Sequence, residues 1–171
     1  MEREKPVGVF DSGIGGLTVV KRIASALPTE DIVYFGDTAR VPYGSKSNST
    51  VIEYSIQDAK FLINKNVKAI VVACNTSSSV AIEELRRVFH VPVIGMIEPG
   101  ARFAINSTKS GRIGIIGTRA TIKNKAPTFE KNVLKVSNHD FKVTNKNGFK
   151  FLGLSTTNDS AHNDKNFIIS L

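Results

Sequence analysis

At 171 residues, 41% hydrophobic and 22% charged, the chain has enough material to bury one domain core, and its composition is that of an ordinary soluble globular protein. No apolar run approaches the roughly 20 residues needed to span a bilayer. The charged start, Met1 to Pro6, has no signal-peptide apolar region, and a single cysteine excludes an internal disulfide, so the cytoplasm is the expected address. The net charge of +8 is scattered rather than clustered and comes with no base-stacking motif. It reads as a solvated basic surface that attracts small anions, with neither nucleic acid nor membrane as a partner.

Val7 to Phe10 predicts the first strand and Leu17 to Ala26 a helix, followed by a second strand over Ile32 to Phe35. Thr50-Val51-Ile52-Glu53 has the form of a capping box, opening a helix to about Lys65. The apolar run Ala69 to Ala73 predicts a buried parallel strand, and Val80 to Phe89 the helix after it. Val91 to Met96 reads as a short strand, Pro99 to Ile105 as a helix, Ile113 to Gly117 as a last strand, and a weaker helix starts near Ala120. This alternation predicts an α/β fold, a parallel sheet with helices on both faces. Right-handed crossovers then bring every strand's C-terminal end to one rim. Near Pro127 the composition shifts towards Asn and Lys with poor patterning, which predicts a loosely packed or disordered extension.

Four strand ends carry polar clusters: Asp11 to Gly16, Gly36 to Gly44, Cys74-Asn75-Thr76, and Gly117 to Thr121. Cys74 lies between a strand and a helix, where α/β sheets place their ligands and where helix N–H groups favour a thiolate. On position alone, a buried structural cysteine is an equal alternative. The segment Gly13-x-Gly15-Gly16 is neither GxGxxG nor a Walker loop, and Asp11 directly before it repels phosphate. A carboxylate beside close-approaching backbone suits an ammonium better, unless the glycines serve only a tight turn. No histidine falls in the clusters, and His90 reads as a capping or surface residue. A thiol base near Asp11, with Ser12, Asn75, Thr76 and the backbone of Tyr43-Gly44 as hydrogen-bonding groups, fits an amino acid whose α-proton is exchanged.

Five segments in order resemble the N-terminal half of bacterial glutamate racemases, from about Pro6 to Ile122. They are Gly8 to Thr18, Tyr34 to Thr38, Val41 to Gly44, Ala73 to Thr76 and Gly117 to Thr121. The resemblance implies cofactor-independent interconversion of L- and D-glutamate for peptidoglycan, by two cysteines on opposite faces of the α-carbon. It assigns Cys74 to the first cysteine and Asp11, Ser12, Tyr43, Gly44, Asn75, Thr76 and, more weakly, Thr118 to substrate binding, with no metal. It also implies two similar α/β domains facing each other across the site, and a homodimer where that full architecture is present.

The second cysteine, expected in a Gly-Cys-Thr-His segment, has no counterpart here, because no cysteine follows Cys74. The chain is therefore expected to divide into a racemase-like domain over 1–123 and a non-matching extension over 124–171, of the kind a frameshift, a truncated gene or a misassembled sequence would produce. Without an opposing base the isolated chain is expected to be inactive. An aspartate racemase and a non-enzymatic amino-acid-binding or interaction remnant stand as alternatives, with nucleotide binding at the glycine segment a weaker third.

Overall fold

The computed structural model describes residues 4–107, 113–118, 120–121, 141–146, 149–154 and 167–170. Four strands, β1 (Val7–Asp11), β2 (Ile32–Gly36), β3 (Ala69–Val72) and β4 (Val93–Gly95), form a sheet in the order β2-β1-β3-β4. All three pairings are parallel, with Val9 opposite Tyr34 on one side and Val71 on the other. The chain leaves β1 towards β2 and then crosses back to β3, so the order reverses between β1 and β3. Ligand crevices in open α/β sheets form at such a switch point.

The sheet is apolar on both faces because helices cover both. Successive strand residues point to opposite sides. Val9 and Val71 pack with Val19, Val20 and Ile23 of α1 (Leu17–Ala26). Phe10, Ile70 and Val72 instead pack with Ala59 and Leu62 of α2 (Asn48–Ile63) and Leu85 of α4 (Ile82–Val88). Phe10, Leu62 and Leu85 are fully buried, each burial contributing roughly 1.5–3 kcal/mol. The expected parallel sheet with helices on both faces is what forms.

Three expectations are corrected. Helix α4 forms within the predicted span Val80 to Phe89, but the polar segment before it, expected to be a turn, is a helix of its own, α3 (Asn75–Val80), beginning directly after Cys74. Ser and Thr are poor helix formers in the interior but satisfy backbone groups locally. Here the Ser78 hydroxyl donates to the Val72 carbonyl (2.8 Å) and accepts from the Met96 N–H (3.0 Å), tying α3 to the sheet. The start of α2 is capped by Ser47, whose Oγ accepts from Thr50 N (3.1 Å), not by a box opening at Thr50.

The third correction concerns β5 (Ile113–Thr118). It was expected in the same sheet, but it lies in a second one, ordered β6-β7-β5-β8, with β6 (Phe141–Lys146), β7 (Phe149–Leu154) and β8 (Phe167–Ser170). It pairs antiparallel with β7 and parallel with β8. The segment expected to be loosely packed or disordered thus contributes three strands. The backbones of β7 and β8 pair the N–H and C=O groups of β5. Between β4 and β5 runs α5 (Ile97–Ser107), longer at both ends than the predicted helix. The predicted helix from Ala120 is described only at residues 120–121, and its remainder lies outside the described residues.

Candidate active site

Asp11 ends β1, and the loop after it folds back onto its carboxylate. Gly13 N and Gly16 N both donate to Asp11 Oδ2, each at 3.1 Å. Both bonds fall on one oxygen, which leaves Oδ1 for a further donor. Tyr34 braces the loop by donating its hydroxyl to the Gly13 carbonyl (2.7 Å). Partial burial and then the Asp11 charge push the Tyr34 hydroxyl above its ordinary pKa. Gly16 has no room for a side chain: a Cβ there would lie 2.6 Å from Asp11 Cβ and 3.0 Å from Ala73 Cβ.

Across the switch point, Cys74 lies two residues past the end of β3, as the residue capping the start of α3. Its sulfur accepts from Ser77 N (3.5 Å), and its thiol donates to Ser12 Oγ (3.4 Å). The side chain is 4% exposed and packs with Tyr43 and Val51. Asn75, next in the chain, holds a buried Oδ1 with no hydrogen-bond partner. An unpaired buried acceptor is costly unless a ligand or water meets it. Asp11, Ser12, Cys74 and Asn75 therefore put acceptors and a thiol at one point of the rim.

Thr76, Thr118 and Thr121 form the other side. Thr76 Oγ1 lies 3.0 Å from Thr118 Oγ1, which lies 3.0 Å from Thr121 Oγ1. Thr118 belongs to the second sheet yet reaches Thr76 through this contact, so the two strand ends meet although β5 is not part of the first sheet. Gly44 abuts it: a Cβ on Gly44 would lie 2.6 Å from Thr118 Cβ.

Tyr43 opens a single turn of 3-10 helix, Tyr43–Ser45. Its hydroxyl is taken up by Asp37 and Asp58 (2.9 Å to the latter). Arg40 reaches the same two carboxylates, Nε to Asp37 (2.6 Å) and Nη2 to Asp58 (2.9 Å). Burial, then the Asp37 hydrogen bond, pushes the Tyr43 hydroxyl far above its ordinary pKa. Burial likewise raises Asp58, to about 7, against the lowering effect of its Tyr43 hydrogen bond.

The sequence reading assigned no role to Asp58. The signal was present: Val51, Ser55, Asp58, Ala59 and Leu62 are the buried positions of α2, so Asp58 is a lone acid in the buried stripe. Asp37, Arg40 and Thr121 stood within the recognised clusters, but their roles depend on contacts distant in sequence. Among the described residues, no group of three or more His, Cys, Asp or Glu is placed to hold a metal ion, and no helix is long and apolar enough to cross a membrane.

Comparisons with known proteins agree with this architecture. The family model described as Asp/Glu/Hydantoin racemase matches residues 7–143, reaching beyond Lys123. The glutamate racemase of Geobacter metallireducens is 57% identical over 122 residues, covering 71% of this chain and 45% of that protein. That of Enterococcus faecalis is 45% identical over 139 residues, covering 76% and 51%. Among solved structures, glutamate racemase from Aquifex pyrophilus superposes with a TM-score of 0.68 at 53% identity, covering 70% of this chain and 47% of that one. The Francisella tularensis enzyme in complex with D-glutamate gives 0.66 at 48% identity, covering 74% and 47%. The chain spans about half the length of the curated relatives it matches. With the β1–β3 switch point, the Asp11 loop and Cys74 in place, the chain belongs to the Asp/Glu/hydantoin racemase family.

Proposed function

We propose that this chain supplies one face of a cofactor-independent glutamate racemase site, with Cys74 as the base that takes the α-proton. The observation that carries the reading is the placement of the Cys74 sulfur 3.4 Å from Ser12 Oγ, beside Asn75 with its unpaired buried Oδ1. Asp11 Oδ1 and Asn75 Oδ1 receive the substrate ammonium. The hydroxyls of Ser12, Thr76 and Thr118 and the Tyr43–Gly44 backbone donate to a carboxylate. As a thiolate, Cys74 removes the α-hydrogen as a proton and becomes a thiol, and the electron pair passes into the substrate carboxylate. Inversion then requires a proton delivered to the opposite face. Cys74 is the sole cysteine of these 171 residues, so a second thiol must come from outside them. The product serves peptidoglycan synthesis in the cytoplasm.

The relatives named as glutamate racemases, one of them solved with D-glutamate, support glutamate over aspartate. Isothermal titration of the purified chain with D-glutamate, L-aspartate and ATP tests the binding half. Heat with glutamate and none with ATP is expected, whereas binding of ATP alone refutes the reading. Chiral chromatography tests the catalytic half: L-glutamate incubated with the 171-residue chain yields no D-glutamate, and measurable inversion overturns the requirement for a second base.

A further inference from the structure

Below the rim lies a buried side-chain network with one more hydrogen-bond contact than its ordinary protons can fill. Asp58 and Tyr43 are each 1% exposed and Asp37 5%. The Tyr43 hydroxyl oxygen is within hydrogen-bond distance of Asp37 Oδ2 and of Asp58 Oδ2. A phenol carries one hydrogen and donates to one of them only. Two bare carboxylates would leave the second contact as oxygen facing oxygen with no proton between. Charge gives the same count. Among the described residues Arg40 is the one cation bonded to the pair, so two ionised acids leave an excess negative charge in a buried site, which burial strongly disfavours.

The geometry says which acid is neutral. Asp37 Oδ2 accepts from Arg40 Nε and from Tyr43, so this oxygen is an acceptor only. Asp58 accepts from Arg40 Nη2 on Oδ1, and its Oδ2, facing Tyr43, is free to carry a hydrogen. We propose that Asp58 is a neutral carboxylic acid that donates to Tyr43, which in turn donates to Asp37, and that this proton latches the Tyr43–Gly44 turn at the site. Asp58 is thereby a positioning residue. The turn it holds packs Tyr43 against Cys74 and sets Gly44 against Thr118, whose hydroxyl bonds Thr76.

The other titratable groups nearby do not supply that proton. Tyr54, on α2 like Asp58, packs against Tyr43 with the rings tilted and their centroids 5.6 Å apart, and Arg40 and Lys46 lie over its ring. Cys74 faces Tyr43 from the α3 side and bonds Ser12. On α4, Glu83 and Glu84 pair with Arg86 and Arg87. On β1, Asp11 bonds its own loop.

The consequence for the turn rests on the proposed substrate site, but the proton itself is tested without ligand. Infrared spectra of the purified chain recorded across pH should show a protonated-acid carbonyl band that disappears as pH rises through about 7, absent from Asp58→Asn. Stability gives a second readout. The folded chain keeps a proton that the unfolded Asp58, near 3.8, has released, so wild-type stability falls as pH rises between 3.8 and about 7 and then levels. Asp58→Asn keeps a neutral donor and lacks that fall, so its advantage in melting temperature over wild type grows across the same window. If Asp58→Asn does not fold, Tyr43→Phe removes the phenol link alone and must displace the wild-type band's titration. A band that persists in Asp58→Asn, no acid band titrating near neutrality, a pH-independent stability difference, or an unmoved titration in Tyr43→Phe overturns the latch. Loss of glutamate binding with the band intact overturns the substrate reading and leaves the proton in place.

Discussion

Single residues at the rim are constrained by backbone approach as much as by chemistry. Asp11 is held by two N–H groups from its own loop, and that wrap is possible only because Gly16 lies against Asp11 and Ala73 without a side chain. Gly16→Ala places a methyl against two Cβ atoms that cannot rotate away. It should lower unfolding free energy by about 1–3 kcal/mol in a denaturant titration. Gly15→Ala is the control, because the nearest atom to its Cβ is Asp11 Oδ2 at 3.7 Å and the change should be nearly neutral. Asp11, Ser12, Cys74 and Asn75 were legible in sequence because polar residues directly after apolar runs fall on the sheet's C-terminal rim. Asp58 was passed over because a helical acid becomes informative only once its partners Tyr43, Asp37 and Arg40 are known.

Elements were legible where their hydrophobic period is strong, and less so at their ends. Helix α1 runs over the predicted residues, Leu17–Ala26, while α2 starts at Asn48 under a Ser47 cap that the Thr50–Glu53 pattern obscured. Ser47→Ala removes the acceptor for Thr50 N and should cost about 1 kcal/mol. Thr50→Ala keeps that bond and should cost a fraction of this. Equal losses in thermal unfolding would contradict the assigned cap. Helix α3 was hidden for a related reason. The Asn75–Ser79 run looks like loop by propensity, and its helix depends on bonds to β3 and β4, such as Ser78 to Val72 and Met96.

At the scale of the molecule, the first sheet separates two apolar layers, one under α1 and one under α2 and α4. Leu85→Ala in the second layer should destabilise by about 2–5 kcal/mol. Combined with Val9→Ala in the first, the two losses should add within about 0.5 kcal/mol, since the two residues belong to separate apolar clusters on opposite faces of the sheet. A large coupling in the double-mutant cycle would show that the layers are not independent. The sequence by itself determined the alternation of strand and helix, hence the parallel sheet and the rim with Asp11 and Cys74, because those follow from local period and crossover handedness. Only the tertiary structure decided that β5 pairs with β7 and β8, that Thr118 nevertheless meets Thr76, and that one more proton belongs in the Tyr43 network. Strand partners and shared protons are set by which distant groups come within hydrogen-bond reach, a property of three-dimensional proximity that no local pattern carries.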